Sequence, residues 1–459
     1  MTIVDRHYGL ASLTEQLAGS VAFPDHPAWD SSRQAYNLTV DQQPTAVAFP
    51  ANAEDVRQIV RYASARGLQI AAQRTGHNAA PLGSLENVIL LKTDALDTVE
   101  IDPTAMKARV GAGVKWESVV PRVSDLGLAV LHGSTPDVSI AGYGLGGGVG
   151  WYARKHGLFT NSITAIELVT ADGCLRRVDH EHEPELFWGL RGGGVNFGIV
   201  TALEFRLFPI SEVYAGVLFF PWERSAEVLH AWHDWTETVP DEMTSVGRIL
   251  QFPPLEEIPE PLRGNAYVLV EAFFLGSEAD GAELLEPLRK LGPAIDTVAM
   301  VPPVALSEMH MDPPDPLPYH GDHLVLGELP ASAIDDLVAA AGPESGSTLI
   351  SVELRHSGGA LARSGDDHGA LDTLPGSFLS FAVGLAFDEA SGAKTRLDLD
   401  RVIGSLRAYR GGSYLNFEED RVDPASFYGA ETYRRLRALK AAVDPDELLR
   451  ANHAIPPAR

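Results

Sequence analysis

Apolar positions along the chain fall into two textures. Through about residue 130, short apolar runs alternate with helical patterns. TAVAFP (Thr45–Pro50) is an apolar run stopped by proline and reads as a strand. ANAEDVRQIVRYASARG (Ala51–Gly67) places apolar residues at helical spacing and ends on glycine, which predicts a helix. LQIAAQ and VILLKT read as strands, with the turn-rich RTGHNAAPLGS between them. MKARVGAGVKW followed by WESVVPRVSDLG reads as strand, then helix. LASLTEQLAG, nearer the N-terminus, predicts a short amphipathic helix. This alternation indicates an α/β or α+β domain. SITAIELVTADGCLRRVD predicts a hairpin around Asp172-Gly173. From 211 to 410 the strand-like runs lengthen: VYAGVLFFPW, NAYVLVEAFFLG, TLISVELRHSGG and SFLSFAVGLAF. Helical runs alternate with them, RSAEVLHAWHDWTETV and ASAIDDLVAAAG among them. Long antiparallel strands with helices on one face fit that pattern. From Arg410 a glycine-and-aromatic texture returns, and YRRLRALKAAV predicts a helix stopped at Asp444-Pro445. There is no internal repeat. The textures divide the chain into 1–210, 211–410 and 411–459.

One stretch breaks the periodic patterns. HGSTPDVSIAGYGLGGGVGW (His132–Trp151) holds Gly142, Gly144, Gly146, Gly147, Gly148 and Gly150. Glycine weakens helix and strand interiors and is useful where backbone N–H groups must approach a ligand closely. The run sits between apolar segments, where a flexible linker is out of place. Gly142 to Gly147 formally spell G-x-G-x-x-G. No clear strand precedes them, however, and Glu167 is the only acidic residue near the spacing a dinucleotide fold needs. A phosphate-cradling loop of another kind is expected, and a nicotinamide-dependent enzyme is disfavoured.

Composition narrows the classes further. Of 459 residues, 36 are Lys or Arg and 62 Asp or Glu, for a net charge of −26. Such a surface repels nucleic acid and anionic membranes, so neither is expected as a main partner. No apolar run reaches membrane-spanning length. MTIVDRHYGL lacks a basic segment followed by an apolar one, so a soluble, cytoplasmic location is expected. The single cysteine, Cys174, excludes an intrachain disulfide and a cysteine metal cluster; its hairpin context suggests a buried or half-buried structural thiol. VPPVALSEMHMDPPDPLPYHGDHLVLGELP (Val301–Pro330) reads, from its prolines, as a surface loop. His310, His320, Asp322 and His323 lie in it, but a loop gives them no fixed metal-binding geometry, so no metal is expected.

Five segments, in order, resemble one family. His77 in QRTGHNAAP, STPDVSIAGYGLGGGVGW, ELFWGLRGGGVNFGIVT, YLNF and the closing YRRLRALKAAVDP–LLRANHAIPP are similar to the FAD-linked oxidases of the vanillyl-alcohol oxidase superfamily, berberine-bridge-enzyme-like branch. The resemblance spans all but the middle third. It implies an α+β, two-domain fold: a PCMH-type FAD-binding domain from 1–210, completed by 411–459, with an inserted substrate domain carrying a large antiparallel sheet over 211–410. It also implies FAD held by Arg74, Thr75, Gly76, His77 and Asn78, by Pro136, Asp137 and Val138, and by the six glycines of the run. Asn196, Gly198, Val200, Asn416 and Asn452 match further positions beside the cofactor.

The histidine at the His77 position is bonded covalently to the flavin in that family. Many of its members add a second bond from cysteine in Gly-x-Cys-Pro. Here the matching segment is Gly133-Ser134-Thr135-Pro136, so one covalent bond is expected and no cysteinyl link. Ala454 stands where members commonly have another asparagine. A small residue at the Val138 position is similar to the oxygen-using members.

The reaction implied is removal of a hydride from a C–H next to O or N of a small molecule, with O2 as acceptor and H2O2 formed. The alternatives are a dehydrogenase using another acceptor, an oxidative ring-forming enzyme, and a flavin carrier without turnover. Hydride loss must be accompanied by loss of the hydroxyl or amine proton, so a base is needed. Tyr414 is the first candidate. Arg355 could favour its phenolate, and Glu353, two residues earlier, shares the strand face of Arg355. Tyr428 is a second aromatic candidate for the site or a core residue.

Overall fold

The computed structural model describes residues 13–459 except 255, 257 and 314. The helix expected over Leu10–Gly19 falls in part outside the described residues. Strands are numbered in chain order. β1 (Ser20–Ala22), β2 (Ala46–Phe49), β3 (Gln69–Gln73) and β4 (Val88–Lys92) form a four-stranded sheet in the order β1-β2-β4-β3, with β2, β4 and β3 parallel. The crossover helix Ala53–Arg66 starts at Asn52, whose side chain accepts from Asp55 N–H at 3.0 Å. It ends where Gly67 adopts φ +62°, a left-handed turn that suits glycine. β5 (Val99–Asp102), β6 (Lys107–Gly111), β7 (Ile163–Val169), β8 (Leu175–Val178) and β9 (Ile199–Arg206) make a five-stranded antiparallel sheet, β5-β6-β9-β7-β8. The expected hairpin is β7–β8. Cys174 in its turn is exposed, which corrects the expectation of a buried or half-buried thiol.

The third sheet has nine strands: β10 (Val213–Pro221), β11 (Met243–Gln251), β12 (Ala266–Phe274), β13 (Ile295–Asp296), β14 (Ala299–Val301), β15 (Tyr319–Leu326), β16 (Ser351–His356), β17 (Phe378–Leu385) and β18 (Arg410–Gly412). Its main path is β13-β10-β12-β11-β16-β17-β15-β18, antiparallel throughout, with β14 also paired to β10. Alternation splits each strand between two faces. One face packs Val270, Ile249, Val352 and Ala382 against the helices Ser225–Thr236, Ala331–Ala341 and Glu389–Leu406. Trp232 is fully buried there, and its indole N–H donates to Ser245 Oγ at 2.9 Å. The other face looks toward the first two sheets and carries Arg248, Glu271, Glu353, Arg355 and Phe381.

Tyr319–Leu326 is thus an inner strand of the large sheet, and this corrects the reading of Val301–Pro330 as a surface loop throughout. The prolines precede the strand and do not interrupt it. His320 and His323 are an odd number of residues apart and point to opposite faces: His320 lies against the helix at Gly392, while His323 accepts from Tyr414 N–H. They cannot share one ion.

The C-terminal segment returns to the first sheet. Ile70 N–H donates to Leu448 O at 2.9 Å, and Arg450 N–H to Ile70 O at 2.8 Å. In the helix Ala430–Val443, buried Lys440 pairs with buried Asp444 at 2.6 Å and donates to Asn196 O at 2.9 Å. Asp444 also accepts from Leu448 and Leu449 N–H. Every charge in this knot has a partner, which a buried ion pair requires.

Candidate active site

One large cavity, of about 820 Å³, lies between the glycine-rich loop, the His77 loop and the inner face of the nine-stranded sheet. Arg74, Thr75, Gly76, His77, Asn78, Val138, Gly142, Gly146, Val200, Asn416 and Asn452 line it, together with Glu353, Arg355 and Tyr414. These expected site residues come from distant parts of the chain and converge on one space.

Others expected there stand behind the wall. Pro136 accepts from Glu117 N–H at 2.8 Å, and Asp137 Oδ2 lies 3.2 Å from His77 Nε2. A Cβ on Gly144 would strike Phe159; on Gly147, Leu371; on Gly148, Tyr143; on Gly150, the carbonyl of His132. These four glycines let the loop pack closely on its own support. Gly142, where a Cβ would meet nothing, and Gly146 are the ones that face the cavity. Gly198 fits against Leu168. Asn196 donates to Gly193 O and His453 O and accepts from Ile455 N–H, tying the tail to β9's approach. Tyr428 donates to Gly192 O, away from the cavity.

His77 is held firmly. Its ring stacks on Tyr36 at 3.7 Å between centroids, and its carbonyl accepts from Tyr319 OH at 3.1 Å. Arg74 is engaged with Gly113 O and Asp94, both at 2.7 Å. Asn78 reaches across to Leu415 O at 3.1 Å, linking the His77 loop to the Tyr414 segment. Thr135, in the place of the family's second flavin-bonding residue, donates its hydroxyl to Asp312.

Tyr414 is 1% exposed overall. Its hydroxyl accepts from Gly148 N–H at 2.9 Å and Asn416 Nδ2 at 3.1 Å. Burial pushes the phenol up to about 12, while those two donors and the Arg355 charge keep it from going higher.

Set into the cavity wall is a charged cluster, of which the sequence points only to Glu353 and Arg355. Register places Arg248 of β11 opposite Glu353 of β16, and Val246 opposite Arg355. Glu353 pairs with Arg355 Nε and with His310 Nε2, each at 2.9 Å. His310 Nδ1 meets Glu271 at 2.6 Å, Arg248 meets Glu271 at 3.1 Å and donates to His310 O at 2.6 Å, and Asp312 stands 3.8 Å from Arg248. Burial and the Arg248 charge press the imidazole toward neutrality. Glu271, Asp312 and Glu353 outweigh them and raise His310 to about 9. Three cations then balance three carboxylates, and Glu353 is held well below the ordinary carboxylate range despite its burial. The signal available in sequence was Arg248, a lone cation within the apolar run VGRIL. His310 was hidden among prolines.

The residues fit a flavin dinucleotide. Both polar atoms of the Gln73 side chain and Asn78 Oδ1 are buried at the cavity without a protein partner, and such atoms are normally satisfied by a ligand or water. Gly142 and Gly146 leave backbone open to the same space, the kind of surface a pyrophosphate requires in a protein of net charge −26.

Comparison with known proteins agrees. Residues 44–179 match the FAD binding domain family, and residues 413–456 the family described as berberine and berberine like. YvdP of Bacillus subtilis, named an uncharacterized FAD-linked oxidoreductase, is 27% identical over 97% of this chain and 99% of its own. (R)-6-hydroxynicotine oxidase of Paenarthrobacter nicotinovorans is 34% identical over 46% of each chain. Among solved structures, Physcomitrella patens BBE-like 1 superposes with a TM-score of 0.85 at 21% identity, covering 98% of this chain and 99% of that one. Glucooligosaccharide oxidase from Acremonium strictum, whose FAD is described as 6-S-cysteinyl, 8α-N1-histidyl, superposes with a TM-score of 0.81 at 23% identity, over 98% of this chain and 99% of that one.

Proposed function

Since the chain is an FAD-linked oxidoreductase of the berberine-bridge-enzyme-like group, we propose that it oxidises a small molecule at a carbon bearing a hydroxyl or amine, with O2 as electron acceptor and H2O2 as product. The observation that carries this reading is Tyr414, whose hydroxyl is held by Gly148 and Asn416 and which lines the same cavity as His77. The residues around Gln73, Asn78, Gly142 and Gly146 would hold FAD, which would supply a hydride acceptor and the redox link to O2.

The chain's own part is proton handling and placement. Tyr414 spends its oxygen lone pairs on two N–H donors, and it acts as base only after its own proton has left to solvent, as the phenolate. The same donors, with Arg355, stabilise the phenolate that accepts the substrate's proton. Arg355 is fixed by Glu353, which His310 fixes in turn. Gln73, Asn78, Gly142 and Gly146 offer polar and backbone groups to the cofactor.

His77 is the attachment point for one covalent bond to FAD. The support is its position on the cavity, its clamping by Tyr36 and Asp137, and the histidyl-linked FAD of the Acremonium enzyme. Thr135 offers no thiol for a second bond. Val138 leaves the cavity open beside it, which suits O2 as acceptor.

The test is a visible spectrum before and after acid precipitation, followed by peroxide detection with a panel of alcohols and amines. A pellet that stays yellow in the wild type and loses its colour in His77→Ala supports covalent attachment. Colour wholly in the supernatant removes the bond and leaves flavin binding. Folded, flavin-supplied protein without colour refutes the reading.

A further inference from the structure

The two ends of the cavity differ in chemistry. The inner end holds Tyr414, Asn416 and the Glu353–Arg355 pair. The outer end is built from the far rows of the nine-stranded sheet. There Leu250, Ser351 and Val383 stand side by side across β11, β16 and β17, with Leu385 beyond them opposite Tyr319. Phe252 extends this apolar wall. Phe387 sits at the rim and is 67% exposed, the most exposed large hydrophobic side chain among the described residues.

Most polar side chains of this outer end are engaged; Glu419, which lies on Gly321 opposite Val383 and accepts from Gly321 N–H at 3.2 Å, is the one carboxyl there, among the described residues, that a substrate amine or hydroxyl can meet. Gln251 Nε2 donates to Ser347 O and Leu349 O at 3.1 and 2.9 Å. Ser351 Oγ accepts from Arg248 Nε at 2.7 Å. The remaining nitrogens of Arg248 face Glu271, His310 O and Asp312. A chain of sugar hydroxyls entering here would give up water for Leu250, Val383 and Phe387, and unpaired buried hydroxyls are costly. An anionic tail would find no uncommitted cation. An apolar body leaves the engaged groups of Gln251, Ser351 and Arg248 undisturbed and gains contact area against Leu250, Val383 and Leu385.

We propose that the substrate is amphipathic: an apolar, ring-sized body that fills the outer end and carries one hydroxyl or amine inward to Tyr414. This rests on the oxidase reading above and names the substrate class for that site. It separates the chain from those of its relatives that are named for oligosaccharides.

The experiment is isothermal titration of the flavin-loaded protein with 2-naphthylmethanol, 2-naphthylmethylamine and maltotriose, repeated on Phe387→Ser. The exposed position of Phe387 leaves folding intact in that variant, and flavin absorbance checks its loading. Expected are binding of a naphthyl compound below millimolar concentration, no heat with maltotriose, and roughly tenfold weaker naphthyl binding in Phe387→Ser from lost apolar contact. Maltotriose binding more tightly than both naphthyl compounds, no binding of either naphthyl compound, or naphthyl affinity unchanged in the variant overturns the proposal. Any of those results in yellow, peroxide-producing protein sinks the substrate class alone. Protein that takes up no flavin sinks the oxidase reading and the substrate class together.

Discussion

Buried in the active-site wall, His310 makes stability depend on pH between neutrality and pH 9. The groups facing it are Glu271 from β12, Glu353 and Arg355 from β16, Arg248 from β11 and Asp312 from its own segment. Folding raises its pKa from an ordinary 6.5 to about 9. At about 1.4 kcal/mol for each tenfold in proton affinity, that difference amounts to about 3 kcal/mol. The sign follows from which state holds the proton. Below pH 6.5 both folded and unfolded chains are protonated and the contribution is complete. Between 6.5 and 9 only the folded chain keeps the proton, so stability falls as pH rises, and above 9 the contribution is gone. The assay is urea unfolding from pH 6 to 10 on the wild type and on His310→Asn. The variant is less stable at pH 6, and the wild type loses about 3 kcal/mol more than the variant between pH 6 and 10. Parallel stability curves would show that His310 is not held as a cation. Glu271→Gln should shrink the window from its upper end, because it removes the carboxylate nearest Nδ1.

Three further substitutions probe the site and its support. Tyr414→Phe should slow anaerobic reduction of the bound flavin by about 100-fold or more and flatten its rise at alkaline pH, with flavin content unchanged; an unaltered rate would remove Tyr414 from proton transfer. Gly146→Val should push Asn416 away from Tyr414, since even a Cβ there overlaps Asn416 Oδ1, and should lower both flavin content and turnover. Asn196→Leu leaves Gly193 O, His453 O and Ile455 N–H without their partner and should cost about 2–4 kcal/mol in chemical unfolding, while the visible spectrum of the loaded protein stays the same.

The strands that could be read from sequence were those with long, nearly continuous runs of strand-forming residues. VYAGVLFFP, AYVLVEAFF and FLSFAVGL each put one apolar set on the helix side and fall where expected. MTSVGRILQ was missed: Thr244, Ser245, Gly247 and Arg248 dilute the pattern, and they do so because this strand faces a polar cluster on one side and the Trp232 ring on the other. YHGDHLVL does not read as a strand because its inward positions are Tyr319 at the cavity, Gly321 against Glu419 and His323 against the Tyr414 backbone, none of them serving an apolar core. The glycine run was legible as a special segment, but its first part, Ile140–Leu145 with Gly142 and Gly144, is a short helix and not the expected loop. The division of labour within the run was not legible, because whether a glycine faces a ligand or a neighbouring ring depends on residues such as Phe159 and Leu371 far along the chain. His310 and Glu271 carry no local mark at all. Their meaning arises only when three strands and a connecting segment are brought side by side.

The stitching of the tail to Ile70 and Asn196 has a consequence for how the protein is made. The carbonyl of His453 meets Asn196 across 257 residues of chain. At about 5–20 residues per second, a ribosome needs about 15–50 s to bridge that interval. For that time Asn196 and the edge of the first sheet have emerged without the segment that completes them. The nascent N-terminal half must wait with a seam open, while the whole nine-stranded sheet is synthesised and passes by. Completion of the cavity is then a late event, because Tyr414, Asn416 and Asn452 of its wall follow the whole nine-stranded sheet along the chain.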